Sequence, residues 1–169
     1  MGRFWAILMI SILVGARAAH ANGIRGKHLT FVAGPRYTID VFKNGRILMF
    51  TTPDPSCLNG RTGYEAWLGR SQKFTIKCTK PNMYSCGADG HSRCKTNSGM
   101  PGISTASYAE GILHLKIDLS FQGSHAFTFD RTIKVNGATC SGKNRASGAF
   151  VSSRTIPISS CRVRDGIAM

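Results

Sequence analysis

The chain has 169 residues, with 22 lysines and arginines against 8 aspartates and glutamates, so its formal net charge is +14. Hydrophobic residues make up 42% of it, enough for one domain with a substantial core, and the absence of repeats and low-complexity tracts excludes repeat and disordered architectures. So basic a surface attracts nucleic acid, phospholipid head groups, acidic glycans or an acidic protein. The basic residues are spread from Arg25 to Arg164 without a run of four, so composition alone identifies no partner.

Residues 1–21 have the layout of a secretory signal peptide. Arg3 precedes an apolar run that is too short to span a bilayer, and the small-x-small pattern Ala19-His20-Ala21 follows it. Cleavage after Ala21 is expected to leave a single secreted domain, residues 22–169, in the extracellular space. No other stretch approaches 18 consecutive apolar residues, so the mature chain is expected to have no integral membrane segment.

The first predicted strands form a hairpin. "RYTIDVF" alternates with period two and places Tyr37, Ile39 and Val41 on one face. Asn44-Gly45 then precedes "RILMF", and Asn-Gly between two strand-like runs indicates a type I′ turn, which needs positive φ at both central residues.

"SCLNGRTGYEAWLGR", residues 56–70, is predicted to be a loop between strands that begins at the half-cystine Cys57. Its glycines permit sharp turns. Tyrosine and tryptophan are the residue types that dominate interface hot spots. The predicted partner-binding residues are Asn59, Gly60, Arg61, Thr62, Gly63, Tyr64 and Trp67. The alternative is that the aromatic side chains, Trp67 above all, belong to the core.

The middle of the chain, residues 78–104, is rich in Gly, Asn, Ser and Pro and shows no hydrophobic period. An even number of cysteines in an exported chain predicts disulfides, although the sequence does not fix their connectivity. Short loops favour links within Cys78–Cys94 and a Cys140–Cys161 link. No metal site is expected, because C-x7-C-x4-H-x2-C lacks the tight pairs of zinc sites. The predicted half-cystines are Cys57, Cys78, Cys86, Cys94, Cys140 and Cys161.

The later strands are the clearest. "LHLKIDLSF" alternates strictly, and its inward face is predicted to hold Leu113, Leu115, Ile117, Leu119 and Phe121. Turns at residues 122–124 and at Asn136-Gly137 follow, and Pro157 places part of the last strand at an edge or bulge. No helical periodicity occurs beyond the leader. The predicted fold is all-β: a single-domain antiparallel sandwich (immunoglobulin-like) or barrel, stapled by disulfides.

"NGRTGYEAW" resembles the N-P-T-T-G-[FY]-x-W loop of chagasin-type inhibitors of papain-like cysteine proteases, with matches at Asn59, Thr62, Gly63, Tyr64 and Trp67. "HLTFVAGPRYTIDV" and "GILHLKIDLSFQGSHAFTFDR" resemble that family's opening strands and later hairpin. The resemblance implies an immunoglobulin-like sandwich whose end loops plug a protease cleft without chemistry of their own. This sequence departs from the pattern at Gly60 and Arg61, and it lacks the family's Arg-Pro-Trp loop.

The signal peptide, the size of the chain and its even number of cysteines also resemble those of the small cysteine-rich effectors that plant-infecting fungi export. The leading hypothesis is therefore a non-enzymatic virulence protein, without cofactor, that inhibits a host papain-like cysteine protease, as a thiol protease inhibitor of the host apoplast.

Two alternatives remain. A small basic secreted ribonuclease would need two acid–base groups at one phosphate. His114 and His125 are expected on the order of 20 Å apart along a hairpin, so His28 or Glu65 would have to join one of them. The other alternative is a secreted protein that binds polyanions, such as acidic glycans, through its net charge.

Overall fold

The computed structural model describes residues 22–54, 60–75, 77–78, 101–121, 124–148 and 151–166. Within these ranges the only helical turn is a 3₁₀ turn at Asn22–Ile24, and no helix is long and apolar enough to cross a membrane. The strands are β1 (Lys27–Val32), β2 (Arg36–Val41), β3 (Arg46–Asp54), β4 (Gly60–Trp67), β5 (Ser71–Thr75), β6 (Lys77–Cys78), β7 (Pro101–Ala109), β8 (Ile112–Phe121), β9 (Ser124–Asn136), β10 (Thr139–Gly148) and β11 (Val151–Asp165). The predicted all-β fold is confirmed.

The strands form one antiparallel sheet in the order β5-β7-β8-β9-β10-β11-β1-β2-β3-β4-β6. The two ends of the sheet approach each other and make a nearly closed barrel. The Ser104 hydroxyl of β7 donates to the Glu65 carbonyl of β4 at 2.6 Å, and the Gly69 amide donates to the Ala106 carbonyl at 2.8 Å. Because one continuous sheet curls on itself, the barrel form of the predicted fold is the one that occurs, and the sandwich form is not.

Strand β8 shows why this sequence makes a barrel wall. Its regular period-two alternation buries Leu113, Leu115, Ile117 and Leu119, each at most 3% exposed, and leaves His114 and Lys116 outside. Burial of each such side chain stabilises the fold by roughly 1.5–3 kcal/mol. Strands β1 and β2, in another part of the sheet, bury Leu29, Phe31, Tyr37, Ile39 and Val41 in the same way. The barrel interior is therefore the core.

The predicted hairpins are confirmed, although one turn differs in type. Strands β2 and β3 pair across residues 42–45, where the Gly45 amide donates to the Phe42 carbonyl. Gly45 has a φ of 89°, and Asn44 is not among the residues with positive φ. The type I′ prediction is therefore wrong, because only one turn residue takes the left-handed conformation while the Asn44 side chain accepts from the Arg46 amide. Asn136 and Gly137 connect β9 to β10 as predicted.

Residues 60–67 correct the loop prediction. They form strand β4, which pairs with β3 along its length and with β6 at Thr62 and Gly63. The glycines that indicated turns sit in extended backbone, and period-two burial places Tyr64 and Ala66 in the core. A second correction concerns residues 101–104, which were assigned to the aperiodic middle but begin β7 with alternating burial. The rest of the middle, residues 79–100, lies outside the described residues.

The end of the chain contains a β-bulge. Val32 pairs with Ser159 and Thr30 with Arg162, so β11 has one residue more than β1 between these pairs. Ser160, within the insertion, has a φ of 50°. Pro157 lies before the pairing with β1 begins, so that part of β11 has a partner only in β10, as its proline predicted.

One predicted disulfide is confirmed. Cys140 of β10 and Cys161 of β11 are bonded, with their Cα atoms 5.1 Å apart. Of the other predicted half-cystines, Cys78 is described only in its backbone, and Cys57, Cys86 and Cys94 lie outside the described residues. The histidine of the C-x7-C-x4-H-x2-C spacing, His91, also lies outside the described residues.

Candidate anion-binding groove

A groove of about 420 Å³ runs over the outer surface of strands β11, β1 and β2. Arg162 and Arg164 line one side, Arg36 lines the other, and His28 lies between them. Thr30 and Ser160 add hydroxyl groups to its wall. The site is therefore strongly basic and rich in hydrogen-bond donors. We call it the basic groove.

The bulge at Ser160 creates this groove. Ile158 points into the core, and uninterrupted alternation would turn residues 160, 162 and 164 inward as well. The extra residue changes the alternation, so Cys161 and Val163 are buried instead. Arg162 and Arg164 are then exposed on the outer face. One insertion thus places both the disulfide and the arginine pair.

Strand geometry sets the spacing of the charges. Arg162 and Arg164 are two residues apart on one strand, or about 7 Å, and Arg36 lies two strands from Arg162 and two residues further along the sheet, roughly 12 Å away. His28 is opposite Arg164, and Val32 is opposite Arg36. Positive groups separated in this way suit several anionic groups of one extended molecule better than a single small ion.

Among the described residues, Asp40 is a carboxylate beside the groove, and it is engaged with His28. Its Oδ1 lies 2.5 Å from His28 Nδ1. In the part of the chain that the structure describes, Arg36, Arg162 and Arg164 have no ion pair with a carboxylate. Their guanidinium groups are free to form bidentate hydrogen bonds with sulfate, phosphate or carboxylate groups.

Six of the seven predicted partner-binding residues, those between Gly60 and Trp67, lie in strand β4 and not in a surface loop. Tyr64 is 9% exposed, and its ring makes edge contacts with Phe74 and Phe129 at centroid distances of 6.2 and 6.3 Å. Trp67 is half-buried, and the Arg70 guanidinium lies 4.1 Å from its ring centroid.

The remaining partner-binding residues are placed less fully. Gly63 is half-buried within the sheet. Gly60, Arg61 and Thr62 belong to β4, and their side chains are outside the described part. Asn59 lies outside the described residues altogether.

The structure does not join the groups considered for ribonuclease chemistry. His114 pairs with Thr132 and His125 with Ser120, so the two histidines are six positions apart along β8, on the order of 20 Å. This confirms the separation predicted for them. Glu65 instead accepts hydrogen bonds from Arg46 Nε at 3.0 Å and Trp67 Nε1 at 3.3 Å, while His28 bonds to Asp40.

Sequence reasoning missed the basic groove. Arg162 and Arg164 alternate with Cys161 and Val163, and this R-x-R pattern on the last strand is a signal for one basic face. The signal is incomplete, because nothing in the local sequence shows that β11 packs beside β1 and brings Arg36 and His28 into the same site.

Comparison with known proteins adds no candidate. No protein-family model, no curated protein and no solved structure matches this chain.

Proposed function

We propose that the chain is an exported binding protein that holds an acidic glycan in the basic groove. The observation that carries the proposal is the outward alignment of Arg162 and Arg164 beside Arg36, with no carboxylate to neutralise them among the described residues. Sulfate and carboxylate groups on a glycan supply the acceptors that three guanidinium groups need. Export is the expectation from residues 1–21 and belongs to the same proposal.

The lining of the groove favours a glycan over single-stranded nucleic acid. Proteins that bind single strands stack the bases on exposed aromatic rings. Among the described residues of the groove wall, the one phenylalanine, tyrosine or tryptophan is Phe31, which is 1% exposed. Charge and hydroxyl groups are what the groove offers, and these match a chain of anionic sugars.

The test is binding to heparin, measured as the dissociation constant at several salt concentrations. The variant Arg162→Gln/Arg164→Gln removes two charges from the groove. The matched control, Lys134→Gln/Lys143→Gln, removes two charges from exposed positions on β9 and β10. We expect the groove variant to bind roughly tenfold or more weakly than the wild type and the control to change by less than about threefold.

Equal losses in the two variants would sink the proposal, since binding would then follow net charge alone. Tighter binding of single-stranded RNA than of heparin would assign the groove to nucleic acid instead. Because the four substituted side chains are exposed, circular dichroism should show the same fold for both variants.

A further inference from the structure

Arg131 is a charged side chain inside the barrel. It lies on β9, is 1% exposed and is among the largest fully buried side chains of the described residues. Its guanidinium carbon lies 4.6 Å from the ring centroid of Tyr37 and 5.4 Å from that of Phe129. Its Nε and Nη1 have no hydrogen-bond acceptor within the described structure.

The buried guanidinium group of Arg131 lacks the hydrogen-bond acceptors that a buried charge requires. Arginine keeps its charge in proteins, and a buried charge is costly unless it is both paired and hydrogen-bonded. The two aromatic rings offset part of that cost through cation–π attraction. They accept no strong hydrogen bonds, so the Nε and Nη1 donors remain unsatisfied within the described structure.

A second polar group lies beside the first. Asn144 of β10 is the register partner of Arg131, is 3% exposed, and has an Oδ1 atom without a hydrogen-bond partner. The two ends of an asparagine amide are assigned from their hydrogen bonds, so Asn144 can also present its NH2 group here. Two neighbouring interior groups can therefore donate to one acceptor.

An apolar path leads from these groups to the end of the barrel where β9 begins. Phe129 and Phe127 are the next inward positions on β9, and they face Ala146 and Gly148 on β10. All four are half-buried, whereas Ile133, on the other side of Arg131, is fully buried. This half-buried row of two large rings and two small residues is apolar and ends at the positive charge of Arg131.

We propose that the barrel interior binds an apolar monocarboxylate, with its carboxylate on Arg131 and Asn144 and its hydrocarbon tail along this apolar row. The carboxylate neutralises the guanidinium and accepts its Nε–H and Nη1–H, while Phe127 and Phe129 cover the tail. This site lies inside the barrel and is separate from the basic groove on its outer face.

Calorimetric titration with octanoate and with octanol tests the charge requirement. We expect the wild-type protein to bind octanoate roughly tenfold or more tightly than octanol. In Arg131→Met, which keeps an unbranched apolar side chain, the preference should disappear. Arg145→Met is the control, because Arg145 is exposed on the outer face of the adjacent strand and its loss should leave the preference unchanged.

A third variant keeps the test decisive if Arg131→Met does not fold. Ala146→Leu places a larger side chain on the apolar row without touching the charge, and it should weaken octanoate binding at least about tenfold. The proposal is overturned if wild-type protein binds octanol as tightly as octanoate. It is equally overturned if Ala146→Leu, or a folded Arg131→Met, binds octanoate as well as the wild type does.

Discussion

Cys140 and Cys161 are bonded across two adjacent strands, with their Cα atoms 5.1 Å apart, because Ser160 adds one residue to β11. Without that residue the alternation from Ile158 would turn Cys161 outward, away from Cys140. The same residue directs Arg162 and Arg164 to the surface. A covalent bond in the wall of the barrel and the charge of the basic groove therefore depend on one local irregularity.

The Cys140–Cys161 disulfide should stabilise the domain substantially. It spans 21 residues of sequence separation, for which loop-closure entropy gives about 3 kcal/mol. We expect Cys140→Ala/Cys161→Ala to lose about that much free energy of unfolding in urea denaturation. Ser141→Ala, on an exposed neighbour, should change it by less than about 0.5 kcal/mol. A loss below about 1 kcal/mol in the double variant would contradict the expectation.

The positive φ of Ser160 predicts opposite effects for two substitutions. Glycine adopts a φ of 50° at no steric cost, so Ser160→Gly should leave the free energy of unfolding unchanged or raise it by up to about 1 kcal/mol. Valine is β-branched and strained there, so Ser160→Val should lower it by about 1–2 kcal/mol. Ser152→Val, on an exposed part of the same strand, is the control. Stabilisation by valine at position 160 would argue against the bulge.

Gly142 lies where β10 closely approaches β9. An added Cβ would lie 1.9 Å from the Thr132 carbonyl oxygen, at a φ of 152°. Because that neighbour is backbone, Gly142→Ala should separate β9 from β10 and lower the free energy of unfolding by about 3 kcal/mol or more. Gly69→Ala meets no atom within 4 Å at a φ of 78°, so it should lose only about 1 kcal/mol. Equal losses would show that the close contact is absent.

Substitutions of Tyr64 and Trp67 should lower the free energy of unfolding by different amounts, because the two side chains differ in burial. Tyr64 packs on Phe74 and Phe129 in the core, so Tyr64→Ala should lower the free energy of unfolding by about 3 kcal/mol or more. Trp67 packs mainly on Arg70 and is half-buried, so Trp67→Ala should lose about 1–2 kcal/mol. A larger loss for Trp67→Ala than for Tyr64→Ala would contradict the burial of the two side chains.

Inhibition of a papain-like cysteine protease stays a prediction, and β4 changes how it must be tested. Because Tyr64 is in the core, only Trp67 of the two aromatics can meet a partner without opening the barrel. If the protein inhibits papain at micromolar concentration, Trp67→Ala should weaken the inhibition while the fold is retained. Absence of inhibition by wild-type and variant protein alike would end this hypothesis.

The sequence predicts the fold class well, because the inward faces of β2 and β8 alternate without interruption. Tyr37 and Leu115 are buried where period two places them. Strand β4 was harder to predict, since Gly60 and Gly63 are typical of turns and only pairing with β3 holds them extended. Sheet context prevailed over local propensity there.

The functional groups were less predictable than the strands. Arg131 follows the same alternation as Ile133 and was nevertheless not expected inside a barrel, because arginine is almost never buried without a partner. Arg36 and Arg164 are far apart in the sequence, and only the pairing of β1 with both β2 and β11 joins them. The pairing of strands that are distant in the sequence forms both the interior site at Arg131 and the basic groove. No local sequence pattern encodes that pairing.

The pairing of Lys27 with Asp165, 138 residues later, also governs how the chain can fold. During synthesis the meander from β1 to β4 can assemble, but β1 keeps one unpaired edge until β11 has left the ribosome. An open edge of that kind can recruit other chains, and such distant contacts slow folding. The pairing of β1 with β11 therefore forms late, and the basic groove lies over these strands, so only a chain complete through β11 acquires that groove.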